Sequence, residues 1–220
     1  MNWSHQMPNQ MRILIVDDHT IVHEGLLAVL SAQPDFEVVG SAYDGLQAVA
    51  LEASLKPDVT LMDLVMPRMD GLDAIRRIRQ ANQHARILLM TSFADDERVF
   101  QAIKSGAMGY LLKDMPREQL YRAVREVDQG NPVLQPTIAH KILQELQRPS
   151  DLPLTEGPLT APEGETLRLV AQGFNYEDIA ARMGVDRPAV ARYASAILDK
   201  LHLADHTHAA LFVLGDGPPG

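Results

Sequence analysis

An α/β fold followed by an all-helical domain is predicted by three observations on this chain. Short unbroken apolar runs alternate with longer helical patterns from Arg12 to about Gly130. The residues that close those runs are carboxylates, a hydroxyl pair and a lysine. Beyond Asn131 the strand pattern stops and only helical periodicity remains. Runs rich in β-branched and apolar residues read as strands buried on both faces, the habit of a parallel sheet. Five strand–helix units then give a doubly wound five-stranded parallel sheet with helices on both faces.

The first run, Ile13-Leu14-Ile15-Val16, ends at Asp17 and Asp18, and the third, Val59-Thr60-Leu61-Met62, ends at Asp63. The fourth, Ile87-Leu88-Leu89-Met90, ends at Thr91 and Ser92, and the fifth, Gly109-Tyr110-Leu111-Leu112, at Lys113. Helical spacing covers residues 20–31, 44–54, 71–81, 96–104 and 116–129. Turn signals such as Gln33-Pro34, Lys56-Pro57 and Ser105-Gly106 return the chain to the next strand. Asp44 and Asp70 are placed as helix N-caps.

Residues 11–130 therefore form one domain and 131–158 a linker. Five prolines from Pro132 to Pro158 punctuate that linker around a short helix at 137–146. Residues 159–214 form the second domain. There a helix at 163–172 ends at Gly173, and a second follows at 176–183. A tight turn, Gly184-Val185-Asp186, leads into a third helix from Arg187 to about Leu201, with Asp186 as N-cap. Val190, Ala194, Ile197, Leu198 and Leu201 mark its buried face. Two helices across a short Gly-containing turn make a helix-turn-helix. A last helix at 206–214, capped by Asp205, completes the predicted bundle.

Composition narrows the function. The 220 residues include no cysteine, which excludes disulfides and thiol catalysis and fits a reducing compartment. No apolar run has the length of a membrane span, and Met1 to Met11 lacks the features of a signal peptide. A cytoplasmic protein with no membrane partner is expected. The net charge of −9 argues against a strongly basic nucleic-acid coat but leaves room for a local basic patch.

Ligands of open α/β sheets bind beyond the carboxyl ends of the strands, where all these polar residues converge. Asp63 is the candidate nucleophile, because a carboxylate there can accept a phosphoryl group as an acyl phosphate. Asp17 and Asp18 add an acidic pocket suited to Mg²⁺, which favours a few carboxylates plus waters. Lys113 would balance phosphoryl charge and Thr91 would donate a hydrogen bond to a phosphoryl oxygen. Helix capping explains Asp44 and Asp70 but not five matched residues at four strand ends. The cluster His202, His206 and His208 lacks a known ligand spacing and is read as surface histidines.

Residues 11–130 resemble the receiver domain of two-component response regulators. The matching pieces are Val16-Asp17-Asp18-His19, Met62-Asp63-Leu64-Val65-Met66-Pro67, Met69-Asp70-Gly71, Met90-Thr91-Ser92 and Gly109-Tyr110-Leu111-Leu112-Lys113-Asp114. The resemblance implies that a sensor histidine kinase phosphorylates Asp63. It also implies that the Val65 carbonyl joins Asp17, Asp18 and Asp63 in the Mg²⁺ site, and that Thr91 and Tyr110 form a switch. Val65 and Phe93, both apolar, would flank the path of the hydrolytic water and slow loss of the phosphoryl group. Phosphatases resembling the haloacid dehalogenases place a second Asp two residues after a first-strand nucleophile. Here that position is His19.

Leu159-Thr160, Glu163, Glu165 and Leu167-Arg168-Leu169-Val170-Ala171-Gln172-Gly173 resemble the LuxR-type (NarL/FixJ) output domain. Ile179-Ala180, Met183-Gly184-Val185 and Ile197-Leu198 continue the match. A DNA-binding transcriptional regulator that dimerises when phosphorylated is implied, with promoter DNA as partner. Its contacts would be Arg187, Ala191, Arg192 and Ser195 on the recognition helix. The family's usual basic residues are absent at Pro162, Gly164, Ala191, Ala196 and His206. Between Thr160 and Leu214, five basic residues face seven acidic ones. Phosphate contacts supply most nonspecific affinity, so an alternative reading makes this domain a phosphorylation-controlled protein-interaction module.

Overall fold

The computed structural model describes residues 10–92, 96–147 and 154–215, with side chains left out at 96 and 203–215. Five strands, β1 (Met11–Val16), β2 (Phe36–Ala42), β3 (Val59–Asp63), β4 (Ile87–Thr91) and β5 (Tyr110–Leu112), form one parallel sheet. Its order is β2-β1-β3-β4-β5, so the chain reverses its direction of travel at β1/β3. Helices α1 (Thr20–Leu30), α2 (Gly45–Leu55), α3 (Gly71–Ala81), α4 (Asp96–Lys104) and α5 (Arg117–Asp128) connect the strands.

Alternation along each strand divides the core. Ile13, Ile15, Leu61 and Leu88 pack with Leu26 and Leu30 of α1 and Leu120 and Val124 of α5. Their neighbours Leu14, Val16, Met62 and Leu89 face the other way, toward Ile75 and Ile78 of α3 and Phe100 and Ile103 of α4. Fully apolar strands are thus required, because helices cover both sides.

Asp44 and Asp70 cap α2 and α3, accepting from Gln47 N at 2.9 Å and Asp73 N at 3.0 Å. Gly71 has a stricter role. A Cβ there would fall 2.1 Å from the Asp63 carbonyl oxygen, so only glycine lets α3 start against the end of β3.

The linker helix α6 (Pro136–Leu146) begins with proline at its first turn, where the missing N–H costs nothing. It packs against α4 on one side and α7 (Ala161–Ala171) on the other. Helix α8 (Tyr176–Met183) starts at Asn175, whose side chain accepts from Asp178 N at 2.9 Å. Gly184 and Asp186 make the turn into α9 (Arg187–Gly215), with Ala189 N donating to Asp186 at 2.7 Å. Val190, Ala194, Ile197, Leu198 and Leu201 are buried, the face that helical spacing predicts.

Two expectations fail here. The recognition helix does not stop near Leu201; α9 runs unbroken to Gly215, so the separate helix at 206–214 and its Asp205 cap are absent. No Gly or Pro interrupts residues 202–214, and the expected cap sits in a stretch containing three helix-favouring alanines. His202 is buried rather than a surface residue. The side chains of His206 and His208, and all of Phe93, lie outside the described residues.

Candidate functional site

Three parallel strands and the β5–α5 turn deliver the charged cluster. Asp17 follows β1, Asp63 ends β3, Thr91 ends β4 and Lys113 follows β5. Strand register aligns them, since Asp63 pairs with Met90 and Thr91 with Leu112. The Lys113 amide donates to the Thr91 carbonyl at 2.9 Å, fixing the lysine at the rim. Its ammonium bridges two carboxylates, 2.5 Å from Asp17 Oδ2 and 3.1 Å from Asp63 Oδ2. Asp17, Asp63 and Thr91 are all buried.

Asp63 Oδ1 accepts the Leu64 amide at 2.8 Å, which orients the carboxylate from its own backbone. Burial raises its pKa above the ordinary aspartate range, opposed by the Lys113 ammonium and reinforced by the charge of Asp17. Burial pulls Lys113 down, but its bond to Asp17 and the charges of Asp63 and Asp17 prevail and raise it. The lysine therefore stays cationic, matched to a dianionic group.

Asp17, Asp18, His19 and Asp63 each bring one possible ligand atom within 4.8 Å of the others. Three carboxylates against one ammonium leave excess negative charge in a confined space, which a hard divalent cation would neutralise. The donor set thus fits Mg²⁺. His19 Nδ1 lies 2.7 Å from Asp18 and 3.3 Å from Asp17. From below, His23 Nε2 sits 2.6 Å from the Asp17 carbonyl oxygen. A carbonyl only accepts, so that nitrogen carries the proton. Val65 is exposed beside the site.

The geometry differs at the second set of predicted residues. Arg187, Ala191 and Ser195 are spaced by four on α9 and share one face. That face meets the first domain. Arg187 pairs with Glu126 of α5, and its Nε donates to Glu177 at 2.8 Å. Ser195 Oγ donates to the Gly130 carbonyl at 3.1 Å. Ala191, between them, is only 2% exposed, which corrects its expected place on an open surface. Arg192 projects away, 70% exposed, with Asp186 4.0 Å distant. The hydroxyl of the half-buried Tyr176 donates to the Pro132 carbonyl at 3.0 Å and adds to the same interface.

Glu126, Tyr176 and Thr137 escaped sequence reading. Their partners lie 61, 44 and 27 residues away, and no local pattern announces such pairs. The Lys200–Glu163 bond of 2.6 Å, which ties α9 to α7, was equally silent.

A five-stranded parallel sheet carrying an Asp–Lys–Asp cluster at its carboxyl edge, joined to a helix-turn-helix, defines a receiver-type signalling protein with an output domain. Family comparison agrees: residues 13–125 match the response regulator receiver domain, and residues 157–213 match the luxR family of bacterial regulatory proteins. This chain belongs to the two-component response regulators with a LuxR-type DNA-binding domain. It is 39% identical over 202 residues to the transcriptional regulatory protein LiaR of Bacillus subtilis, covering 92% of this chain and 96% of that one. It is 35% identical to the response regulator protein VraR of Staphylococcus aureus, over 92% and 95% of the two chains. A solved LuxR-family two-component response regulator from an Aurantimonas species aligns with a TM-score of 0.58 at 34% identity. That alignment spans 63% of this chain and 99% of the other. LiaR is named as a transcriptional regulatory protein, and the family is one of transcriptional response regulators. No helix among the described residues is long and apolar enough to cross a membrane.

Proposed function

We propose that Asp63 is the phosphoacceptor and that its modification frees a recognition helix now held against the receiver. The observation that carries this reading is Lys113, whose ammonium joins Asp17 to Asp63 inside the buried rim. Asp63 attacks phosphorus, an O–P bond forms, and the N–P bond to a kinase phosphohistidine breaks. Asp17, Asp18, Asp63 and the Val65 carbonyl would hold Mg²⁺, which supplies charge neutralisation and orientation for the phosphoryl oxygens. Lys113 exchanges its contact with the Asp63 carboxylate for the new phosphoryl oxygens, and Thr91 donates its hydroxyl to one of them. Tyr110 swings toward Thr91.

The closed arrangement accounts for an output domain with few cations. Arg187 is held by Glu126 and Glu177, two carboxylates standing where DNA phosphates would go. Release exposes Arg187, Ala191 and Ser195 beside the already exposed Arg192. Two copies in a phosphorylated homodimer would present two such helices to promoter DNA. The protein would act in the cytoplasm with a sensor histidine kinase as its partner.

Asp63→Asn tests the first step. Incubated with acetyl phosphate and Mg²⁺, the variant should show no acid-stable, alkali-labile increase in mass, while the parent is modified. Undiminished labelling would place the nucleophile elsewhere. The same variant reads the cost of burying this carboxylate. Because the folded state holds the Asp63 proton more tightly than the unfolded chain, ionisation removes stability as pH rises from the ordinary aspartate range through the raised folded value. Asp63→Asn should therefore melt higher than the parent at neutral pH, and the gap should close below about pH 4.

A further inference from the structure

We propose that Thr137 is the positioning residue through which the linker helix α6 reads the switch tyrosine, an inference that rests on the phosphorylation control proposed above. The Tyr110 hydroxyl and Thr137 Oγ1 lie 2.7 Å apart, joining the end of the sheet to the first turn of α6. Tyr110 is 6% exposed, although its strand is at the sheet edge, and it belongs to the same apolar cluster as Ile138, Ala139 and Ile142. The preceding segment is fastened as well. Val133 N donates to the Met108 carbonyl at 2.8 Å, and a Cβ on Gly109 would meet the Val133 carbonyl at 2.3 Å.

The middle of α6 is clamped to α4. Lys141 Nζ lies 2.9 Å from Glu97 and 5.9 Å from the Phe100 ring centroid. Beyond it, α6 packs on α7, so a displacement of the linker helix carries the output bundle with it. Gln135 Nε2 also donates to the Tyr110 carbonyl at 3.5 Å, but the hydroxyl pair is the contact made by the tyrosine side chain. When Tyr110 swings toward Thr91, Thr137 loses its partner while α6 keeps its packing on α7. The helix is then left attached more firmly to the output domain than to the receiver. Thr137 acts by holding the tyrosine in its present rotamer, in which the ring is already buried against α6.

The chain has no cysteine, so Ala191→Cys gives a single reporter that is covered in the closed form. Its alkylation rate by a maleimide, measured on the full chain, reads opening directly. Thr137→Val in this background should raise the unphosphorylated rate roughly threefold, the factor carried by a partly exposed hydrogen bond worth somewhat under ~1 kcal/mol. Thr137→Ser keeps a hydroxyl and should restore the parent rate. Tyr110→Phe should match Thr137→Val, and the double variant should add nothing, since both remove one bond. The proposal is overturned if Thr137→Val and Tyr110→Phe both alkylate at the parent rate while phosphorylation still accelerates the parent; phosphorylation control then survives alone. Equal acceleration by Val and Ser would also overturn it, because that marks a packing defect rather than a lost hydroxyl. If Thr137→Val accelerates and Ser rescues, but phosphorylation of the parent changes nothing, the clamp stands and the phosphorylation reading falls.

Discussion

The receiver rim and the recognition helix both gather the residues on which function depends, yet they hold them in opposite ways. At the rim, each charged group stands at or just past a strand end and meets its partner inside one domain. Lys113 satisfies Asp17 and Asp63 together, with all three mostly buried. On α9, Arg187 and Ser195 find partners in the other domain, on Glu126 and Gly130. The rim is therefore set as soon as the sheet forms, whereas the helix surface has two competing environments. A group fixed within one fold can be assigned from its position; a group shared between two arrangements cannot.

The sharpest contrast comes from removing one charge at the rim. Lys113→Ala leaves Asp17 and Asp63 facing each other without a cation, and the buried carboxylates lose their compensation. Urea denaturation at neutral pH should show a loss of about 3 kcal/mol, and adding Mg²⁺ should recover part of it. A variant as stable as the parent would mean that the lysine is not the counter-ion of this cluster.

Breaking the interdomain pair should have a smaller effect, and of opposite kind. Glu126→Gln removes the charge that holds Arg187 without disturbing either core. DNA binding by the unphosphorylated full chain should strengthen about fivefold, the factor for an ion pair of about 1 kcal/mol at a partly exposed interface. Receiver labelling at Asp63 should be unchanged. Unaltered DNA affinity would remove Glu126 from the closed-state latch.

The smallest effect is expected at Arg192, which faces solvent in the closed form with only a long, exposed contact to Asp186 to lose. Arg192→Ala should leave stability within about 0.5 kcal/mol of the parent. It should lower the dependence of log affinity on log salt by about one, the signature of a single phosphate contact. An unchanged salt slope would take Arg192 off the DNA-facing surface. Ala191, expected from the sequence among the DNA contacts, is only 2% exposed, so Ala191→Lys should overpack its site and lower the stability of the closed form.

These contrasts explain what could be read before any coordinates. Strand termini are dictated by apolar runs, and a parallel sheet puts their carboxyl ends on one side, so Asp17, Asp63, Thr91 and Lys113 were legible together. The N-caps Asp44, Asp70 and Asp186 were legible for the same local reason. The end of α9 was not, because an alanine-rich stretch without Gly or Pro lets a helix continue past a residue that could have capped a new one. Nor was the burial of Ala191 and His202, which depends on what packs across the helix rather than on its own spacing. No local pattern marks Glu126 on α5. Its meaning comes only from Arg187, which arrives after the linker has folded back.

The account rests on phosphorylation separating the receiver from α9, and small-angle X-ray scattering of the full chain measures that separation directly. The radius of gyration, extrapolated to zero concentration with the oligomeric state fixed by light scattering, should rise per protomer when acetyl phosphate and Mg²⁺ are added. Asp63→Asn should show no rise under the same conditions. A stoichiometrically phosphorylated protein whose protomer envelope stays as compact as the unmodified one would contradict the account.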